Sequence, residues 1–134
     1  MNWLMSPFGL FLERVRRSRQ LQQKQLAADL GIQASYLSLL EKGRKVPPSK
    51  QVLEKLIHVL NLDEEEQAGM WDSAEQSQRN FQLPDGLPLE EYLVVNELRK
   101  QLGRLSKGQI KLMLDVLALG TTSDKQSNFR RTEM

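Results

Sequence analysis

The sequence predicts an all-α protein, and three observations carry the prediction. Apolar residues recur at three- and four-residue spacing along most of the chain, as in Phe8, Phe11, Leu12 and Val15. Side chains able to cap a helix stand ahead of these runs at Ser6, Ser49, Asp63 and Ser106. No stretch alternates in the manner of a strand, and no internal repeat is present. The expected architecture is five helices within residues 1–82, a helical pair over 83–120 and a disordered tail over 121–134.

Each element has a local justification. Ser6-Pro7 opens the first helix, with serine as cap and proline at the first helical position. Trp3 or Met5 is placed to fold back on its apolar stripe as a staple. The helix fades between Ser18 and Leu21. A second helix begins at Gln22 or Gln23, buries Leu26, Ala27 and Leu30, and ends at Gly31, where glycine takes the left-handed conformation without a Cβ clash. Ile32 is a buried turn residue. The third helix runs from about Ala34 to Lys42, with Tyr36 or Leu37 and Leu40 inward, and Gly43 closes it. Val46-Pro47-Pro48 is extended, because a residue before proline avoids the helical region. Ser49 then caps a fourth helix carrying Val52, Leu53, Leu56, Ile57 and Leu60.

Asp63 caps a fifth helix whose first turn holds Glu64, Glu65 and Glu66, favourable at the positive end of the helix dipole. Met70, Trp71 and Ala74 form its apolar face, and it runs out near Arg79. Leu83 to Pro88, LPDGLP, is turn chemistry and marks a boundary. A sixth pattern covers Glu90 to Leu105. Ser106 and Gln109 have the spacing of a capping box for the last helix, Gln109 to Leu119, which Gly120 stops.

Composition narrows the chemistry. The chain has 134 residues, no cysteine and one histidine, His58. Disulfides, thiolate metal sites and histidine clusters are therefore excluded, and no metal site is expected. No serine, lysine or acid stands in a recognisable catalytic arrangement, so an enzyme is the least favoured class and no cofactor is expected. No apolar run is long enough to span a membrane. The N-terminus lacks a signal-peptide pattern, so a cytoplasmic location is expected. Net charge is +2, but residues 1–60 carry ten Lys/Arg against four acids, a net of +6, and residues 61–134 carry nine against thirteen, a net of −4. A basic half joined to an acidic half suggests that the first half meets a polyanion; the plainer alternative is two solvated faces.

The stretch Gln23 to Arg44, QKQLAADLGIQASYLSLLEKGR, is two short helices around a glycine turn, the shape that places one helix in the major groove of DNA. With its flanking helices it resembles the lambda-repressor-like helix-turn-helix family, also called the Cro/C1 or XRE type. The likeness rests on Gln23, Leu26-Ala27, Leu30-Gly31-Ile32, Ser35-Tyr36-Leu37-Ser38, Leu40-Glu41, Gly43 and Pro48-Ser49, and it covers about residues 8–62. The resemblance implies double-stranded DNA as partner. It implies that Gln23 clamps the DNA backbone and buttresses the recognition helix, with Lys24 beside it. Gln33, Ala34, Ser35, Ser38 and Leu39 then face base edges, Tyr36 sits at the rim, and Lys42, Arg44 and Lys45 follow the strand as phosphate contacts. Arg16 and Glu41 match a pair that forms a salt bridge in many relatives. Many relatives carry arginine or glutamine where this chain has Ala34 and Leu39, so thymine methyls, bridging water or DNA shape would carry more of the readout here.

The last helix has two apolar faces: Ile110, Met113, Leu114 and Leu117 on one, Leu112, Val116 and Leu119 on the other. One face used inside the chain and one against a partner implies a homodimer, with Leu112, Val116 and Leu119 at its interface. The alternative is a monomer whose C-terminal helices fold back on the first domain. The expected function is a DNA-binding transcriptional regulator of a bacterium, phage or mobile element, a repressor bound to a palindromic operator. The rival is an antitoxin that represses its own operon and binds a toxin through its C-terminal part.

Overall fold

The computed structural model describes residues 5–120. Among them are seven helices and no strand: α1 Pro7–Ser18, α2 Gln23–Leu30, α3 Ala34–Glu41, α4 Lys50–Val59, α5 Glu64–Gln76, α6 Leu89–Gln101 and α7 Lys107–Ala118. The expected staple residue Trp3 and the expected tail over 121–134 lie outside the described residues. The chain divides into two compact units, residues 1–82 and 83–134.

In the first unit α1 packs on α3 and α5, and α2 packs on α3 and α4. The core is a continuous cluster built from Phe8, Leu12 and Val15 of α1, Leu26, Ala27 and Leu30 of α2, Leu37 and Leu40 of α3, Leu53 and Leu56 of α4, and Met70 and Ala74 of α5. Leu60 and Leu62 close it between α4 and α5. Every helix of the cluster contributes at three- or four-residue spacing, which is why the apolar pattern alone locates these side chains. Of the two candidates in α3, Leu37 is fully buried and Tyr36 packs against the cluster from its edge.

The helix starts are chemically defined. Ser6 Oγ accepts from the Gly9 amide at 3.0 Å, and Ser49 Oγ from the Val52 amide. Asp63 and Glu66 form a reciprocal capping box, as do Ser106 and Gln109. Gly31, Gly43 and Gly120 all take positive φ. Two further left-handed residues, Gln20 at φ 57 and Asn61 at φ 50, turn the chain after α1 and after α4.

Three expectations need correction. Trp71 is not core: it is 37% exposed, because α5 directs Met70 and Ala74 inward and turns the tryptophan toward its rim. Helix α6 does not reach Leu105. It ends at Gln101, and Gly103 reverses the chain at φ 89. Nor does α7 bury one of its two apolar faces within the chain. Met113 is half-buried in a groove shared with Leu93, Val94 and Leu98 of α6, but Leu114 and Leu117 are exposed along with Leu112, Val116 and Leu119. Neither α6 nor α7 holds a buried residue.

Candidate nucleic-acid interface

Helices α2 and α3 meet across Gly31, whose φ is 72. The Gly31 amide donates to the Ala28 carbonyl and the Ile32 amide to the Ala27 carbonyl, satisfying the end of α2. Ile32 is half-buried against the core, so the turn is pinned by packing as well as by hydrogen bonds. Burial of Leu37 and Leu40 fixes the rotation of α3 about its axis and therefore decides which face stays accessible. On that face Ser35 is exposed, while Ala34, Ser38 and Leu39 are half-buried. Gln33 stands exposed at the N-cap position, with its side-chain oxygen 3.5 Å from Ser35 Oγ. The side chains of this face are short or apolar, apart from Gln33 at its leading end.

A charged network holds α3 against its neighbours. Arg16 Nε donates to Glu41 Oε2 at 2.6 Å and Arg16 Nη2 to Glu41 Oε1 at 3.0 Å, a two-pronged ion pair in which both residues are buried. The hydrogen bonds to Glu41 raise the Arg16 guanidinium above its usual pKa, outweighing the opposing effect of burial. Arg16 Nη1 also donates to the Leu21 carbonyl, and Gln23 Nε2 donates to Glu41 Oε1 at 2.9 Å. The last residue of α3 is thus tied at once to α1 and to the start of α2. A second constraint comes from Gly9, where a Cβ would lie 2.6 Å from the carbonyl oxygens of Leu40 and Glu41. Only glycine lets α1 approach the end of α3 this closely.

Around this scaffold the cations are unpaired. Lys24, Lys42, Arg44 and Lys45 are all exposed, and none takes part in an ion pair among the described residues. The N-termini of α2 and α3 carry no side-chain cap, in contrast to α1, α4, α5 and α7. Their first-turn N–H groups are free to meet an external acceptor. The structure therefore brings Gln23, Lys24, the open face of α3 and the Lys42–Lys45 loop into one unit. It leaves His58 exposed and alone, and among the described residues no group of acidic or histidine side chains has the arrangement of a metal site. The Gln23–Glu41 bond is a contact by which Gln23 buttresses α3. The sequence reading missed the close approach at Gly9 and Arg79, whose Nη2 donates to the Gly43 carbonyl.

Residues 7–69 match the family model of a helix-turn-helix domain. The first half of the chain carries this domain. Over 58 residues the chain is 40% identical to an uncharacterized HTH-type transcriptional regulator, RghRB of Bacillus subtilis (strain 168), covering 43% of this chain and 42% of that protein. Over 55 residues it is 34% identical to the ImmF control region 10 kDa protein of Bacillus phage phi105, covering 41% of this chain and 60% of that protein. The chain thus spans less than two thirds of the length of the curated relatives it matches. A chain of a solved SinR protein/SinI protein complex is similar at 23% identity, with 86% of this chain and 98% of that one covered and a TM-score of 0.43. Among the described residues, no helix is long and apolar enough to cross a membrane. The matched helix-turn-helix domain contains the Gln23–Arg44 stretch, with α2 and α3 as its two helices.

Proposed function

We propose that the chain is a DNA-binding transcriptional regulator that acts as a repressor, bound as a homodimer to a palindromic operator. The observation that carries the reading is the open face of α3 set between unpaired, exposed cations inside a helix-turn-helix domain. Helix α3 enters the major groove by its N-terminal end. Gln33 reaches a base as the one long amide on that face. Ser35 and Ser38 offer hydroxyls to base edges, and Ala34 and Leu39 meet thymine methyls. Lys24, Lys42, Arg44 and Lys45 lie along the phosphates, with Tyr36 at the rim. Gln23, already bonded to Glu41, keeps its backbone amide and its remaining amide hydrogen for a phosphate.

Short side chains on α3 leave little room for direct readout, so operator shape and the spacing of two half-sites carry a larger share of specificity. A homodimer through α6 and α7 supplies the second recognition helix, about 34 Å from the first, one turn of DNA away. The test is binding to the DNA upstream of the chain's own gene. Gln23→Ala combined with Arg44→Ala is expected to weaken binding and to flatten its salt dependence by about 0.9 in log–log slope per chain bound, for the one charge lost from each chain. Unchanged binding by this variant removes the docking arrangement.

A further inference from the structure

Arg79 lies outside the matched residues 7–69, two residues beyond Ser77, the C-cap of α5. Its Nη2 nevertheless donates to the carbonyl of Gly43 at 2.6 Å. Gly43 stands between Lys42 and Arg44, directly after α3, so this guanidinium is seated on the loop that carries the proposed phosphate contacts. Both ends of the link are fixed. Gly43 has φ 73, and a Cβ there would collide with the Ser6 amide nitrogen, so the loop is pressed against the start of α1. On the other side Ser77 is buried, its Oγ accepting from the Phe8 amide at 2.8 Å and donating to the Ser73 carbonyl at 2.7 Å. The segment bearing Arg79 is thereby anchored to α1 as well.

The charge of Arg79 is left uncompensated. Arg16, Arg17 and Arg19 each face a carboxylate. Arg79 is exposed and has no carboxylate partner among the described residues, and a carbonyl acceptor does not neutralise a cation. A guanidinium carries five N–H donors in a planar fork, and the Gly43 bond engages only one nitrogen. The remaining donors suit the oxygens of a phosphodiester, and a side chain already held in place loses less freedom on binding. We infer that Arg79 is a phosphate ligand of the DNA interface, acting beside Lys42, Arg44 and Lys45 and contributed from outside the helix-turn-helix motif. The inference rests on the DNA-binding reading above.

The test uses the full chain, a mixed-sequence DNA duplex and fluorescence anisotropy over a range of KCl concentrations. Arg79→Gln removes the charge and keeps an amide donor for Gly43. Its plot of log affinity against log salt is expected to be shallower than that of the unaltered protein by about 0.9 per chain bound. Arg79→Lys keeps the charge and is expected to keep the slope. An unchanged slope for Arg79→Gln, in an assay where Lys42→Gln does flatten it, overturns the assignment and leaves Arg79 as a strap on the loop. A lower melting temperature without a change of slope has the same meaning. Failure of the DNA-binding reading looks different: the unaltered protein itself would show no salt-dependent binding, and the inference would fall with it.

Discussion

Glu41 accepts hydrogen bonds from Arg16 Nε, Arg16 Nη2 and Gln23 Nε2, and it is only 2% exposed. Burying a carboxylate is costly unless its partners stay in place, and here they come from α1 and α2 while Glu41 itself ends α3. The pair therefore acts less as a source of net stability than as a lock on how the three helices meet. Glu41→Ala strands the buried Arg16 guanidinium, leaving it the Leu21 carbonyl as its acceptor. The expected loss is about 3–5 kcal/mol in urea unfolding. Replacing both partners at once, Arg16→Met with Glu41→Leu, is expected to cost less than the single change, because no charge is left buried. A single-variant loss below about 1 kcal/mol would place the pair with ordinary exposed ion pairs instead.

At the scale of the element, α5 shows what a local sequence carries and what it does not. Its cap was legible, because Asp63 needs only the backbone that follows it: Asp63 Oδ1 accepts from the Glu66 amide at 2.8 Å. The return bond, Glu66 Oε1 accepting from the Asp63 amide at 3.1 Å, makes a capping box where the sequence suggests only first-turn charge. The same locality made Ser6, Ser49 and Ser106 legible. Helix rotation was legible wherever periodicity was clean, as for Leu26 and Leu30, but not for Trp71, which neighbours the buried Met70 on a helix with a narrow apolar stripe. Contacts between distant residues left no local trace. Arg19 Nη1 and Nη2 both reach Glu66, 47 residues away, and Arg19 Nε reaches the Leu60 carbonyl. Arg79 on Gly43 and Gly9 against α3 are of the same kind.

The Arg19 link has a consequence for acid stability. Its hydrogen bonds, with the one from the Asp63 backbone, lower the Glu66 carboxyl from an ordinary value of 4.5 to about 2. Between those values the unfolded chain binds a proton that the folded chain does not. The stability owed to this group is complete above the upper value and disappears as the pH falls through the lower one. Unfolding followed from about pH 6 down to about pH 2 is therefore expected to show a loss of stability that Glu66→Gln lacks. If Glu66→Gln shows the same acid limb as the unaltered protein, the Arg19 contact does not persist in solution.

For the whole molecule, the uneven distribution of apolar surface is the main constraint. The first unit buries a core, whereas helices α6 and α7 hold no fully buried residue. Of the large hydrophobic residues left exposed, most belong to residues 83–120: Leu89, Tyr92, Leu93, Val94, Leu102, Ile110, Leu112, Leu114, Val116, Leu117 and Leu119. Two amphipathic helices in water have no reason to hold their shape while so much apolar surface is wet, since each such side chain gains roughly 1.5–3 kcal/mol on full burial. In the proposed dimer a second copy would answer this with the same surface on both sides, as a two-fold interface requires, and would also supply the paired recognition helices that a palindrome needs. Leu112 and Val116 are one helical turn apart on α7, so aspartate at both puts two charges at the centre of the proposed contact. Leu112→Asp with Val116→Asp is expected to halve the mass measured by light scattering. The variant should also bind a palindromic duplex no more tightly than a single half-site, while the helix-turn-helix unit, whose core these residues do not enter, keeps its thermal transition. A variant that remains dimeric places the interface elsewhere. A protein already monomeric before substitution removes the two-fold model, and specificity would then rest on one recognition helix whose groove-facing side chains are mostly short.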